Sequence, residues 1–171
     1  MTSLGFEERS LDLRACDESL PTSKHICNLW KGLRLSRNAM KSQPRIGSID
    51  TLAFVVKAEH AIDFSDQVMP HILSTPWLIW FLEHAARKLM LPHLEDEEST
   101  VGARVDVEHL SPTPVGHEVR CQAKLIFSDQ RLFSFELRAW DHLDLVARGT
   151  HKLKVIRKHR LAEVTALKQR P

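Results

Sequence analysis

The apolar residues of the chain first fall into a regular pattern at Thr51. They alternate with the residues between them, which is the period of a β-strand. The preceding residues 1–48 show no clear period, so we treat them as an N-terminal extension and expect it to be partly disordered. Residues 60–74 also lack a steady period and predict a loop. The alternating apolar positions are Leu52, Phe54, Val56 and Ala58.

A helix is predicted from the Ser74-Thr75-Pro76 segment to about Leu91. Ser or Thr suits the N-cap of a helix, Pro suits its first turn, and Pro92 ends the segment. Trp80, His84, Arg87 and Lys88 are predicted to lie on the polar side. The apolar stripe has the 3.6-residue period of a helix and comprises Leu78, Ile79, Leu82, Ala85, Ala86, Leu89 and Met90.

Four alternating segments follow and predict four strands. The order of one strand, one long helix and four strands is typical of an α+β fold in which an antiparallel sheet covers one helix. The last strand spans about Leu145 to Ile156, and residues 158–171 predict a basic tail or short helix after a domain at 49–157. The predicted inward positions of the first three are Val101, Ala103, Val105, Val107 and His109; Val119, Cys121, Ala123, Leu125 and Phe127; and Phe133, Phe135, Leu137 and Ala139.

Charge is distributed unevenly along the chain, although the net charge is only +2. Residues 50–151 carry nine Lys or Arg and sixteen acidic residues, whereas residues 152–171 carry seven and one. An acidic centre is a poor surface for nucleic acid, so we expect no nucleic-acid partner. The basic segment favours docking of a small polyanion. The alternative is that its lysines keep an edge strand soluble.

Composition restricts the cellular setting. No apolar run reaches the ~18 residues of a membrane span, so we expect no membrane partner. The N-terminus lacks the basic and apolar regions of a secretion signal. Cys16, Cys27 and Cys121 are odd in number and lack metal-ligand spacing, which favours a reducing cytoplasm. No metal site and no cofactor are predicted.

Three residues are candidates for chemistry. Glu83 lies on the flank of the apolar stripe, where partial burial makes a carboxylate a useful acid, base or nucleophile; the alternative is an exposed ion pair with Arg87. His109 ends an inward strand face and could shuttle a proton, or it is a core histidine bonded to a backbone carbonyl. Thr75 could present its hydroxyl to a ligand at the helix N-terminus, or it only caps the helix.

Six segments in order along residues 50–156 resemble the hotdog-fold acyl-CoA thioesterases related to fluoroacetyl-CoA thioesterase. The resemblance implies a sheet wrapped around one long central helix. It also implies an acyl-CoA substrate and a homodimer, or a higher homo-oligomer, with active sites at the subunit interface. The segments are Ser74-Thr75-Pro76, Leu82-Glu83-His84-Ala85-Ala86, Thr100-Val101-Gly102, Val107-Glu108-His109, Pro112-Thr113-Pro114-Val115-Gly116 and Gly149-Thr150-His151.

The resemblance assigns roles to individual residues. It implies that Thr75, Glu83 and His109 form the catalytic group and that Gly102 lies in the acyl pocket. The fluoroacetyl-specific enzyme has aromatic gating residues shortly before its catalytic Thr, whereas residues 66–73 here contain none. We therefore expect a generic short or medium acyl group. For the CoA phosphates, the candidate partners are Lys152, Lys154 and Arg157.

The predicted function is hydrolysis of an acyl-CoA thioester to a free acid and CoA. One alternative is a non-catalytic acyl-CoA-binding module, because a fold does not fix a function. A second is a hotdog hydratase or dehydratase. Those enzymes usually carry an Asp–His pair on a longer helix, whereas this chain places a Glu within the helix.

Overall fold

The computed structural model describes residues 40–64 and 68–169. Most of the N-terminal extension predicted for residues 1–48 therefore lies outside the described residues. Residues 40–162 form one compact unit, and the described residues from 163 onwards belong to a second. In the described part of the chain, no helix is both long and apolar enough to cross a membrane.

The elements follow the predicted order of one strand, a long helix, four strands and a terminal helix. Short 3-10 turns at Ala58–His60 and Leu91–His93 flank the long helix in sequence. The elements are β1 (Ile49–Val55), α1 (Thr75–Met90), β2 (Glu98–His109), β3 (Glu118–Asp129), β4 (Leu132–Trp140), β5 (Leu145–Arg157) and α2 (Lys158–Lys168).

The five strands form one sheet in the order β1-β3-β4-β5-β2, and every neighbouring pair is antiparallel. α1 lies against one face of this sheet and buries its predicted apolar stripe there, except for Ile79, which is half-buried. Phe81, absent from the predicted stripe, is buried because its ring stacks on Phe54 of β1 with the centroids 3.5 Å apart. This packing is the helix-on-sheet plan expected from the sequence.

The start of α1 differs from the prediction in one detail. Ser74 occupies the N-cap position and Pro76 lies in the first turn, as predicted. The Ser74 side chain, however, makes no capping hydrogen bond. The Thr75 hydroxyl points instead to a histidine of β2. The helix begins here because of backbone geometry and Pro76, which leaves the Thr75 hydroxyl available for another partner.

A β-bulge in β2 corrects the predicted inward face of that strand. The pairing with β5 shifts between Gly102 and Arg104, so the alternation of side chains reverses there. Gly102 lies opposite buried Leu153, while Val105 lies opposite buried His151. Val101 lies opposite Lys154 and so on the other face, and Ala103 is the unpaired bulge residue, whereas the uniform alternation had predicted both on the helix-facing side. The bulge places Gly102 on the same side as Val105, Val107 and His109.

A second bulge corrects the predicted face of β3. The pairing with β4 shifts between Leu125 and Phe127. Leu125 is fully buried, whereas Phe127 is 47% exposed. Phe127 lies opposite Ser134 rather than opposite an inward residue of β4, so its predicted inward position is wrong.

The position of β5 also changes one interpretation. β5 pairs with β4 on one side and β2 on the other, so it is an interior strand. The lysines of its basic segment therefore do not guard an edge, and that explanation is wrong. β1 and β2 form the two edges of the described sheet.

Candidate active site

The first half of the candidate site joins the start of α1 to the end of β2. The Thr75 Oγ1 atom lies 3.0 Å from Nδ1 of His109, within hydrogen-bonding distance. His109 reaches this position because it lies opposite buried Ala147 of β5 and so faces the helix. The two residues that the sequence placed on different elements are therefore direct partners.

His109 has properties suited to proton transfer. Burial lowers the pKa of His109, and a hydrogen bond with the backbone of Ser111 offsets this effect only partly. The imidazole is therefore neutral near pH 7. Its Nε2 atom is buried and makes no hydrogen bond within the described residues. A neutral ring with one nitrogen held and the other available is able to accept a proton.

The second half of the site brings together Glu83 of α1, Gly102 of β2 and His151 of β5. Oε1 of Glu83 lies 3.9 Å from Nε2 of His151. A Cβ atom on Gly102 would lie 2.9 Å from that same carboxylate oxygen and 3.4 Å from Cε1 of His151. Gly102 therefore gives the carboxylate space that a larger residue would fill. The Glu83 side chain stays 39% exposed, so it is accessible from one side.

His151 is the buried member of this second half. Its side chain is 2% exposed. Its Nδ1 lies 2.9 Å from the carbonyl oxygen of Arg104. A carbonyl only accepts, so Nδ1 carries the hydrogen in this contact. Burial lowers the pKa of His151, with the nearby Glu83 charge and the Arg104 bond acting in the opposite direction.

The described residues contain a small set of unsatisfied buried groups. Across residues 40–64 and 68–169, the buried side-chain nitrogen or oxygen atoms without a hydrogen-bond partner are Nε2 of His109 and Nε2 of His151. Buried polar atoms nearly always have partners, and exceptions are often functional. Each half of the candidate site thus contains one such imidazole nitrogen.

The two halves are separate within one chain. Glu83 follows Thr75 by eight positions, which corresponds to about 12 Å along a helix axis. The structure therefore brings Thr75 to His109, and Glu83 to Gly102, but it does not bring all three predicted catalytic residues together within one subunit.

The surroundings of Arg87 and Cys121 differ from those of the candidate site residues. Arg87, the alternative ion-pair partner considered for Glu83, donates from Nη1 to the hydroxyls of Ser99 and Thr100, at 3.1 and 2.9 Å. Cys121 is buried, and burial raises the pKa of its thiol to about 12. This cysteine is therefore a protonated core residue at neutral pH and not a nucleophile.

The predicted CoA-binding residues lie on another surface. Lys152 and Lys154 are half-buried and alternate with buried Leu153 and Val155, so they occupy the sheet face away from α1. Burial, followed by the nearby Arg131, lowers the pKa of Lys154. Arg157 ends β5 opposite Glu98. Lys152 and Lys154 therefore lie on the opposite face from Glu83, whereas Arg157 falls in phase with buried Leu153 and Val155.

His151 belongs to the Gly149-Thr150-His151 segment of the family resemblance, which implied no role for it. The alternation of β5 was the available signal, because His151 falls in phase with Leu153 and Val155. That alternation predicts an inward histidine. Its proximity to Glu83 depends on how α1 crosses the sheet, which the sequence pattern does not contain.

Comparison with known proteins places this arrangement in a class. A solved fluoroacetyl-CoA thioesterase superposes with a TM-score of 0.70 and 26% identity, over 76% of this chain and all of that one. A thioesterase superfamily member from Thermus thermophilus superposes with a TM-score of 0.67 and 26% identity, over 74% of this chain and 95% of the other. The fold is therefore the hotdog fold of thioesterases, as the resemblance implied.

The sequence comparisons narrow the class further. The profile of the fluoroacetyl-CoA-specific thioesterase family matches residues 56–159. The fluoroacetyl-CoA thioesterase of Streptantibioticus cattleyicolor is 30% identical over 125 residues, which span 68% of this chain and 88% of that protein. The chain belongs to the fluoroacetyl-CoA-specific thioesterase family.

Proposed function

We propose that the protein hydrolyses an acyl-CoA thioester to a free acid and CoA. The observation that carries this proposal is the pairing of Thr75 with His109, whose Nε2 is buried without a partner in the described chain. A hydroxyl and an available imidazole at a helix N-terminus suit acyl transfer, where a proton moves and an oxyanion develops. Membership of a thioesterase family supports the same reaction.

Each residue of the catalytic group has a proposed role. His109 shuttles the proton, since its lowered pKa keeps the ring neutral and able to accept. Thr75 orients that ring through its hydroxyl. Glu83 acts on the thioester as base or nucleophile, since its carboxylate is partly exposed beside Gly102. The absent side chain of Gly102 makes room for the acyl group.

We further propose that the active site is completed by a second copy of the chain. β2 is an edge strand with Val105 43% exposed near its middle. Two copies of β2 can therefore pair in antiparallel fashion about a two-fold axis. With Ala103 left out of the pairing by the bulge, an axis near Val105 would set Gly102 opposite Val107 of the partner subunit, two positions before His109 of the partner subunit on the same face. Glu83 would then act with a histidine supplied by the other chain.

The substrate is proposed to carry a short or medium acyl chain, with no preference for fluoroacetyl. Residues 68–73 lack an aromatic side chain, and residues 65–67 lie outside the described chain. A variant of the fluoroacetyl-CoA-specific relative has been solved in complex with fluoroacetate and CoA, which are the products of fluoroacetyl-CoA hydrolysis. For the CoA phosphates of this chain, we retain Lys152, Lys154 and Arg157 as proposed partners.

A panel of acyl-CoA thioesters from acetyl to palmitoyl tests the function. The thiol released on hydrolysis is measured continuously with a thiol reagent, and thermal unfolding is measured with the same compounds. We expect turnover with at least one short or medium acyl-CoA, at a rate well above the uncatalysed reaction. Stabilisation by acyl-CoA without any hydrolysis would contradict the proposal and favour the acyl-CoA-binding module.

The hydratase alternative is addressed by the same panel. An enoyl-CoA included among the substrates loses its ultraviolet absorbance on hydration. We expect no such loss before the thioester is cleaved, because the described site holds a glutamate within α1 and not the Asp–His pair of the hydratases. Hydration without thiol release would replace the proposed reaction.

A further inference from the structure

We propose that His151 is a positioning residue for the Glu83 carboxylate, and that the two side chains together hold the water molecule that attacks the thioester. The inference rests on the proposed function and deepens it by assigning Glu83 as the general base. The Gly149-Thr150-His151 motif contributes only this inward histidine to the described site.

The hydrogen-bond partners of His151 fix the direction of its ring. Nδ1 donates to the carbonyl of Arg104 at 2.9 Å. In the neutral ring, Nε2 is then a bare acceptor. The side chain is 2% exposed, and Nε2 makes no hydrogen bond within the described chain. A buried acceptor with a fixed direction is costly unless a donor meets it.

The group facing Nε2 is a second acceptor. Oε1 of Glu83 lies 3.9 Å from Nε2, which is too far for a direct hydrogen bond. An ionised carboxylate oxygen also has no hydrogen to donate to Nε2. One water whose oxygen lies about 2.8 Å from both atoms would span this gap at an angle of roughly 90°. That angle is close to the one between the two O–H bonds of water. Such a water donates to both acceptors.

The surroundings supply the room that this arrangement needs. Gly102 contributes no side chain at the point where a Cβ would touch both Glu83 and His151. The titratable groups at this point are Glu83 from α1 and His151 from β5, while β2 contributes Gly102 and the Arg104 carbonyl. A lowered pKa keeps His151 neutral near pH 7, so that Nε2 remains an acceptor.

The chemical step balances without another reactant. The water oxygen forms a bond to the thioester carbon, and one O–H bond breaks as its proton passes to Glu83. The carbon–sulfur bond then breaks, and the departing sulfur receives the proton that Glu83 took up, which restores the carboxylate and gives the acid and the CoA thiol. His151 keeps its own proton on Nδ1 throughout and acts by holding the water and the carboxylate in place.

Two substitutions separate this role from a structural one. In His151→Asn, the side-chain amide can replace the Nδ1 donor to Arg104, but nothing replaces Nε2. In His151→Gln, the longer amide reaches the Nε2 position and gives up the Arg104 bond. We expect kcat to fall about tenfold or more in His151→Asn with KM within about twofold, and His151→Gln to keep several-fold more activity than His151→Asn. The exposed His142→Asn is the control and keeps wild-type kcat.

The opposite ranking would overturn the inference. If His151→Asn keeps wild-type kcat while His151→Gln loses it, then His151 is a core histidine held by Arg104. Equal, unchanged activity of both variants would also remove the role. Circular dichroism and thermal unfolding establish that each variant is folded before the rates are compared.

A second measurement is independent of turnover. Nitrogen-15 NMR of the wild-type protein is expected to report the Nδ1–H tautomer of His151, with a Nε2 shift that changes in Glu83→Gln. The Nε2–H tautomer, or a shift indifferent to Glu83, would overturn the inference even if both variants fail to fold. If no acyl-CoA is hydrolysed, the proposed function fails, while this NMR coupling still decides whether His151 positions Glu83.

Discussion

The two halves of the candidate site use histidine in different surroundings. His109 lies at the end of an edge strand, half-buried, with a hydroxyl partner at the helix N-terminus. His151 lies in an interior strand, almost fully buried, and faces a carboxylate that is partly exposed. In both, Nδ1 is held and Nε2 is left without a partner in the described chain. A histidine on an edge can serve a neighbouring subunit, whereas one in the sheet interior acts only on its own chain.

The largest expected loss of activity follows substitution of Glu83, the carboxylate in the second half of the site. Glu83→Gln removes the charge that takes a proton from water but keeps the size of the side chain. We expect kcat to fall by ~10²-fold or more, as for loss of a positioned base. Steady-state kinetics with the best acyl-CoA measures it. Glu118→Gln is the matched control, because Glu118 is exposed on β3 and pairs with Arg120. An unchanged kcat in Glu83→Gln would remove Glu83 from the mechanism.

The pH dependence of activity reports the protonation states of the two histidines. Burial lowers the pKa of both His109 and His151 below the ordinary value of 6.5. Both rings are therefore neutral above pH 6.5, and protonation removes the acceptors only at lower pH. We expect kcat/KM to fall by up to about tenfold per pH unit, in a limb that begins below pH 6.5. A loss of activity that begins well above pH 6.5 would show that these histidines do not act as neutral acceptors.

Substitution of two glycines separates an effect on catalysis from an effect on folding. A Cβ on Gly102 would meet the flexible end of Glu83, whereas a Cβ on Gly149 would lie 2.2 Å from the backbone oxygen of Asp106. We expect Gly102→Ala to lower kcat several-fold, with little change in the melting temperature. Gly149→Ala is expected to lower the melting temperature by several degrees or to prevent folding, because backbone cannot yield as a side chain does. The reverse pattern in thermal unfolding and kinetics would contradict these assignments.

The smallest expected effect concerns the basic residues on the far face of the sheet. If they contact the CoA phosphates, KM rises with ionic strength because salt screens such contacts. The double substitution Lys152→Ala with Lys154→Ala is expected to raise KM about two- to fivefold and to flatten that rise, with kcat unchanged. The exposed Lys124→Ala serves as the control. If the double variant keeps the wild-type salt dependence, then the CoA phosphates bind elsewhere.

Much of the fold followed from periodicity in the sequence. Alternation located five strands, and the 3.6-residue stripe with Pro76 and Pro92 bounded α1, because burial of one face imposes these patterns. The bulges in β2 and β3 were missed, since a single inserted residue leaves no mark in an alternating run. They reversed the faces of Val101 and Phe127 and left Ala103 unpaired.

The site was less accessible to sequence reasoning than the fold. The catalytic proposals for Thr75, Glu83 and His109 came from a family resemblance, and their residue types alone allowed structural explanations. The proximity of His151 to Glu83 depends on how α1 crosses β5, which no local pattern encodes. The placement of Lys152 on the far face was predictable from alternation, but the interior position of β5 was not.

The proposed active site is shared between two copies of the chain. The most direct measurement mixes two inactive variants, Glu83→Gln and His109→Asn, under conditions that exchange subunits. If each site takes Glu83 from one chain and His109 from the other, a mixed dimer contains one intact site, and random mixing restores roughly a quarter of wild-type activity. If each site uses both residues of one chain, every site in the mixture carries a substitution. Failure to recover any activity from exchanged dimers would contradict the shared site.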